Sequence, residues 1–315
     1  MCYSVLVETN LKKLEKEFHA AADIKSFERI YKDRAQQIPN TQIPAALDEN
    51  FKMGQPLENS QIKKYIRQYH DKKIKELEQK LFVKKREITD LERKLKQKET
   101  KTNRSKLETA QRVLKRSLNQ LERHKQPSKE SSHRIFQYSY APLITLNSKH
   151  QRIIHPFRYQ LRPGYNKEEV PSRINMFNAR IDALNDRRSW QRVFMHRHAA
   201  LIMNGFYEWV EDPKTGKSRQ IRFMPEGEPW MWVPCLYDQW KSDDGSQIID
   251  SFALLTRDPP AEIQNMGHDR CPVFPKWEHF DSWLDTQTLT EQKAFEIFED
   301  LENVHYAHQW VGQSA

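Results

Sequence analysis

The sequence predicts an α+β fold, with a strand-rich half that carries the hydrophobic core and, ahead of it, helices and a long helical hairpin. Three observations predict it. From residue 133 onward, short apolar and aromatic runs such as RIFQYSYAPLITL, HAALIMNGFYEWV and SFALLTRDPP are separated by Pro, Gly, Asn and Asp, the pattern of strands and turns. All eight tryptophans lie in that half. Between residues 74 and 121 apolar residues recur instead every three or four positions, the period of a helix.

Cys2 to Glu8 reads as a strand, because Tyr3, Val5 and Val7 alternate with other residues. Residues 11 to 37 read as helical, with Leu11, Leu14, Phe18, Ala21 and Ala22 on one face, until IPNTQIP breaks the pattern. Ile74, Leu77, Leu81, Ile88, Leu91 and Leu95 form a heptad seam interrupted at Lys84. After the polar ETKTNR, the positions Leu107, Ala110, Leu114, Leu118 and Leu121 continue a stripe, so the two segments are expected to pack as an antiparallel, coiled-coil hairpin, with KQPSKESS as the linker behind it. The expected organisation is a main domain of residues 1–10 and 131–315, a helical connector over 11–56 and a basic hairpin insertion over 57–130. No fixed-period repeat is present.

Composition limits the function classes. A formal charge of +9, a pI near 9.3 and a mean hydropathy of −0.91 are polar values for a globular chain, so some segment must be nearly all surface. Residues 61–130 hold 23 Lys and Arg against 10 Asp and Glu, a net +13 that leaves −4 for the rest. Such a run reads as a solvated helical face or as a contact for a polyanion, nucleic acid or protein. Three widely spaced cysteines, Cys2, Cys235 and Cys271, without a CxxC pair, indicate neither a disulfide framework nor a zinc site, and fit a reducing cytosol. No membrane-length apolar run or signal-like start is visible, and no cofactor or metal is expected.

Cys2 is the first residue with unusual chemistry. Removal of Met1 would put an α-amine and a thiol on one residue, and these two nucleophiles can convert an aldehyde first to an imine and then to a five-membered thiazolidine. In NGFYEWV, Glu208 follows a presumed Gly turn and sits between Tyr207 and Trp209, where desolvation suits a carboxyl to acid–base work. In NMGHDRCP, His268 is a loop imidazole able to shuttle protons. In FNARIDAL, Asn178 and Arg180 suit a phosphate or carboxylate.

Taken in order, Cys2, FNAR, GFYEW, LLT and GHDRCP resemble the motif series of the SOS response-associated peptidase (SRAP) family, over roughly residues 1–10 and 133–285. The resemblance implies a mostly antiparallel, barrel-like core with peripheral helices, and a DNA-repair activity in which an abasic site in single-stranded DNA becomes covalently linked to Cys2. It implies autoproteolytic removal of Met1, Cys2 as nucleophile, Glu208 as proton donor and acceptor, and His268 as the group that protonates or positions the sugar hydroxyl. Asn178 and Arg180 would bind phosphate, with Trp209 and Thr256 in the same channel. Tyr159 and Tyr165 stand where the family has tryptophans that wedge against bases. Cys235 and Cys271 fall at packing positions.

The chain departs from the family at Tyr3 and Ser4, which replace Gly and Arg and remove a basic residue, and at Ser139, which replaces an asparagine expected to orient the aldehyde. The helical insertion is also atypical. Alternatives from other classes are a thiol peptidase using Cys2 and His268, and an inactive adaptor that binds DNA or a partner. The expected compartment is the cytoplasm, at the nucleoid if the source is bacterial.

Overall fold

In a computed structural model, which describes residues 4–52, 60–125, 133–213, 215–227 and 230–311, five strands of the C-terminal half close on one another into a barrel. Met1, Cys2 and Tyr3, and most of the KQPSKESS segment, lie outside the described residues. In chain order the elements begin with β1 (Ser4–Val7), α1 (Leu11–Phe18), β2 (Ala21–Ala22), α2 (Ile24–Ala35), α3 (Ala45–Lys52), α4 (Ser60–Gln97) and α5 (Lys101–Lys125). There follow β3 (Arg134–Ile135), β4 (Tyr140–Leu146), β5 (Arg152–Tyr159), β6 (Asn178–Arg180), α6 (Arg188–Gln191), β7 (His198–Glu211), β8 (Ser218–Pro225) and β9 (Met231–Lys241). The chain continues with β10 (Ile248–Arg257), α7 (Ala261–Asn265), β11 (Cys271–Pro272), α8 (Phe280–Leu284), α9 (Glu291–Glu299) and β12 (Tyr306–Trp310).

The ring runs β4–β5–β10–β9–β7 and back to β4, antiparallel at every step except the parallel pair β5–β10. Side chains alternate across a strand, so each barrel strand has an inner and an outer set. On β7, Ala199, Leu201, Met203 and Phe206 join one apolar cluster, the barrel interior, whereas Ala200 and Ile202 join a second cluster covered by helices. Both faces are buried, which explains why HAALIM reads as a continuous apolar run. The helices between β1 and the hairpin belong to that second cluster, through Leu11, Leu14, Phe18, Phe27, Tyr31, Leu47 and Phe51.

The helix predicted over residues 11 to 37 is two helices. Asn10 caps α1, accepting from Lys13 N at 3.1 Å, and His19 ends it in the left-handed region at φ 47°. Ala21 and Ala22 then pair in parallel with Ile153 and Ile154 of β5 before Asp23 caps α2. Nothing in the apolar spacing separates this interruption from a continuous helix. The hairpin forms as expected, with Leu77, Leu81 and Leu91 facing Ala110 and Ser117 at its buried seam, and His70 and His124 meeting at its base.

The predicted turn at Gly205 is also not a turn. β7 runs straight through it, and a Cβ at this position would stand 2.8 Å from the carbonyl oxygen of Phe223 on β8. Gly205 is a close-approach residue that lets β7 carry β1 on one edge and β8 on the other beyond the barrel rim.

Candidate functional site

Alternation along β7 decides the character of the site. Phe206, Glu208 and Val210 share the inner face, and Tyr207 and Trp209 take the other. Glu208 is 1% exposed among apolar neighbours, and a carboxyl in such a place requires a hydrogen-bonding partner. His268 provides it, with Nε2 2.8 Å from Glu208 Oε2. The loop behind α7 delivers this imidazole: Gly267 turns the backbone at φ 86°, and the chain re-enters the sheet at β11. His268 Nδ1 lies 2.8 Å from Arg270 O and 3.2 Å from Arg270 N, and Nε2 faces the carboxyl. The carboxyl and the ring nitrogen lie within hydrogen-bonding distance, a geometry in which one proton can pass between them. The arrangement can give a proton and take it back in a site from which bulk water is largely excluded.

The neighbouring strands place the other candidates. β6 pairs in parallel with β10, Asn178 opposite Leu254 and Arg180 opposite Thr256. Thr256 is buried and its hydroxyl donates to Ala179 O at 3.4 Å, tying β6 to β10. Asn178 is buried and its Oδ1 accepts from the Tyr159 hydroxyl at 3.2 Å. Arg180 stands at the rim, engaged by Asp182 through Nε at 2.9 Å and through Nη2. The hydrogen bonds that Arg180 donates to Asp182 raise the pKa of the guanidinium and lower that of the carboxylate.

The remaining expected residues stand apart from the Glu208–His268 pair. Tyr159 is fully buried in the barrel, its ring stacked 5.1 Å from Phe252, so it has no face left for a base and acts instead as a support for Asn178. Ser139 closes a local turn: its hydroxyl accepts from Phe136 N at 3.1 Å, next to Tyr138 at φ 65°. Tyr165 lies in a separate loop, exposed, with the Arg192 guanidinium 4.4 Å over its ring and a surface cleft of about 520 Å³ beside it. Trp209, 49% exposed, lies on the far side of β7 from Glu208.

That far side holds two residues that reading the sequence missed. Ser4 pairs across from Tyr207, and Arg134 spans the two, its Nε donating to Ser4 Oγ at 2.8 Å and its guanidinium 3.5 Å from the Tyr207 ring centroid. On the opposite edge Arg222 is in register with Tyr207. Two guanidiniums thus flank the aromatic pair Tyr207 and Trp209, and Arg134 restores positive charge beside the position where Ser4 stands. The signal available in sequence was weak: Arg134 begins a two-residue strand, and only the alternation of SRQIRF marks Arg222 as outward-facing.

Cys235 and Cys271 are free and buried. Burial pushes the Cys271 thiol up to about 12, with the Glu208 charge adding to it against the opposing Arg257, and burial drives Cys235 well above its ordinary value. Neither thiol is a nucleophile near neutral pH. Among the described residues Glu278, His279 and Asp300 bring ligand atoms within 4.8 Å of one another; this candidate cation site is empty, and Lys276 Nζ already lies 2.6 Å from Asp300.

Residues 101–313 match the family model described as SOS response associated peptidase (SRAP), about two-thirds of the chain. The chain belongs to the SRAP family. Its curated relatives include the abasic site processing protein HMCES of Pongo abelii, 25% identical over 183 residues, covering 50% of this chain and 52% of that protein. The abasic site processing protein YMR114C of Saccharomyces cerevisiae is 26% identical, covering 51% of this chain and 42% of that protein. For the abasic site processing protein YoqW of Bacillus subtilis the identity is 26% and the coverage 47% and 66%. The chain thus spans between 42% and 66% of the length of these relatives. A crystal structure of a protein from Bacteroides thetaiotaomicron superposes with a TM-score of 0.48 at 18% identity, over 57% of this chain and 77% of that one. As an SRAP protein the chain has the expected α+β fold with a closed barrel and peripheral helices, and among its described residues no helix is long and apolar enough to cross a membrane.

Proposed function

We propose that this SRAP protein captures abasic sites in single-stranded DNA by forming a thiazolidine through Cys2, after autoproteolytic removal of Met1. The observation that carries the reading is the buried Glu208–His268 pair, a one-proton relay at the strand that β1 joins. Ser4, two residues after Cys2 in the sequence, is paired with Tyr207, the neighbour of Glu208. The names of the relatives, abasic site processing proteins, point to the same substrate.

In the proposed reaction the Cys2 amine attacks the aldehyde carbon of the ring-opened deoxyribose. Glu208 accepts a proton from the amine and returns one to the departing hydroxyl, so that water leaves and an imine forms. The Cys2 sulfur then adds to the imine carbon while its proton passes to the nitrogen, closing the ring; aldehyde and aminothiol become thiazolidine and one water. His268 shares the relayed proton with Glu208 and acts on the sugar hydroxyl through that carboxyl. Asn178 and Arg180 hold phosphate, and Trp209, half-exposed, offers a stacking face to the single strand beside the guanidiniums of Arg134 and Arg222. A thiol peptidase built on Cys2 and His268 would need the same Nε2 that faces Glu208, so the carboxyl-paired role is preferred. The test is incubation with a uracil-excised single-stranded oligonucleotide followed by a denaturing gel. A shifted band with the unaltered protein and none with Cys2→Ala is expected; no band, or equal bands, would end the proposal.

A further inference from the structure

The hairpin carries the chain's excess positive charge, and α5 distributes its share unevenly. At 100° per residue, Lys101, Arg104, Arg112, Lys115, Arg116 and Arg123 fall within about 120° of arc, and all six are exposed. The opposite face holds the seam residues Ala110, Leu114, Ser117 and Leu121. Glu108 and Glu122 share the cationic face and Glu99 pairs with Arg104 at 2.6 Å, but between Glu108 and Glu122, from Thr109 to Leu121, there is no acid. The helix is about 37 Å long, close to one turn of B-form DNA.

The arm is also fixed at its base. Asp48 of α3, buried, is bonded to Arg34 of α2 at 2.9 Å and to His70 of α4 at 3.1 Å, and His70 meets His124 of α5 at 3.2 Å. Asn50, on the same α3, donates to Thr9 O at 2.8 Å, and Thr9 is five residues from Ser4, roughly 17 Å of extended chain. The base of the arm is therefore held at a set position relative to the segment that follows β1. Its chemistry selects among nucleic acids: α5 contains no Phe, Tyr or Trp, so it offers no platform for unstacked bases, only charge for a phosphate backbone.

We propose that the outer face of α5 is a phosphate-contact surface for duplex DNA flanking the single strand held at the barrel. The inference rests on the DNA-capture reading, and its test keeps the two apart. Binding of the full chain is measured by fluorescence anisotropy over a salt series, with an abasic single strand, with the same strand extended by about one helical turn of duplex, and with that duplex alone. The triple variant Arg112→Glu, Lys115→Glu, Arg116→Glu should lose on the order of tenfold affinity for the flanked probe and for the duplex, with little change on the single strand. Its salt slope on the duplex should fall by about 2.7 or more, three contacts at about 0.9 each. The triple Gln variant, which neutralises without reversing, should shift the same way by less. Unchanged duplex binding, an equal loss on all three probes, or competition by polyglutamate as effective as by duplex would overturn the proposal. If the unaltered protein forms no denaturation-resistant adduct while the arm variants still lose duplex binding, the capture reading fails and the arm surface stands.

Discussion

Replacing Glu208 by Gln separates the chemical role of this residue from its structural one. In the native site Oε2 lies 2.8 Å from His268 Nε2 and the side chain is 1% exposed, so the contact is shielded from water. Glutamine keeps the shape, and its amide can donate to Nε2 in place of the shared proton. Exchanging one buried hydrogen bond for another changes stability by about 1 kcal/mol. Removing the proton relay costs far more in rate, because positioned acid–base catalysis contributes about 10²–10⁴-fold, or about 3–5 kcal/mol of barrier. Single-turnover adduct formation, followed on denaturing gels with excess protein, should slow by about two to three orders of magnitude, while the denaturant midpoint moves only slightly. An adduct rate within a few-fold of the unaltered protein, with the fold intact, would refute the assignment of the relay to Glu208.

Three further predictions concern the frame around the site. Gly205→Ala places a Cβ 2.8 Å from Phe223 O, a backbone atom that cannot swing away, and should destabilise the fold by about 1–3 kcal/mol in denaturant unfolding; an equally stable variant would contradict the close-approach role. Arg134→Gln removes the guanidinium over Tyr207 and should weaken non-covalent binding of single-stranded DNA and reduce its salt slope by about one; an unchanged slope would remove Arg134 from the binding surface. His198 stacks 3.7 Å from Trp283 with Nδ1 2.8 Å from the Trp283 carbonyl, and burial depresses it from 6.5 to about 4. Because the unfolded chain takes up a proton that the folded one refuses, this residue's contribution, about 3 kcal/mol, is complete above pH 6.5 and is lost as pH falls toward 4; an NMR titration of His198 near 6.5 would contradict it.

Much of this architecture was legible because the strand-rich half and the hairpin carry different hydrophobic periods. The helix break at His19 was not, since a left-handed residue leaves Leu14, Phe18 and Ala22 at helical spacing. Gly205 misled for a related reason: glycine marks turns and close approaches alike, and only the neighbouring strand tells them apart. Glu208 and His268, sixty residues apart, were legible as motifs, yet their 2.8 Å contact depends on β10, α7 and the Gly267 turn, which no local pattern encodes. Tyr159 was the reverse case. Its aromatic ring suits a base-stacking surface as well as a core, and the pairing of β5 with β10 buries it. Arg134 stayed hidden because its role depends on a cross-strand partner 130 residues away, Ser4.

The most direct measurement is the intact mass of the purified adduct with an abasic oligonucleotide. Capture through a freed Cys2 predicts the mass of the chain without Met1, plus the oligonucleotide, minus one water, with fragmentation placing the added mass on Cys2. An adduct that retains Met1, or whose modification maps to any other residue, would contradict it.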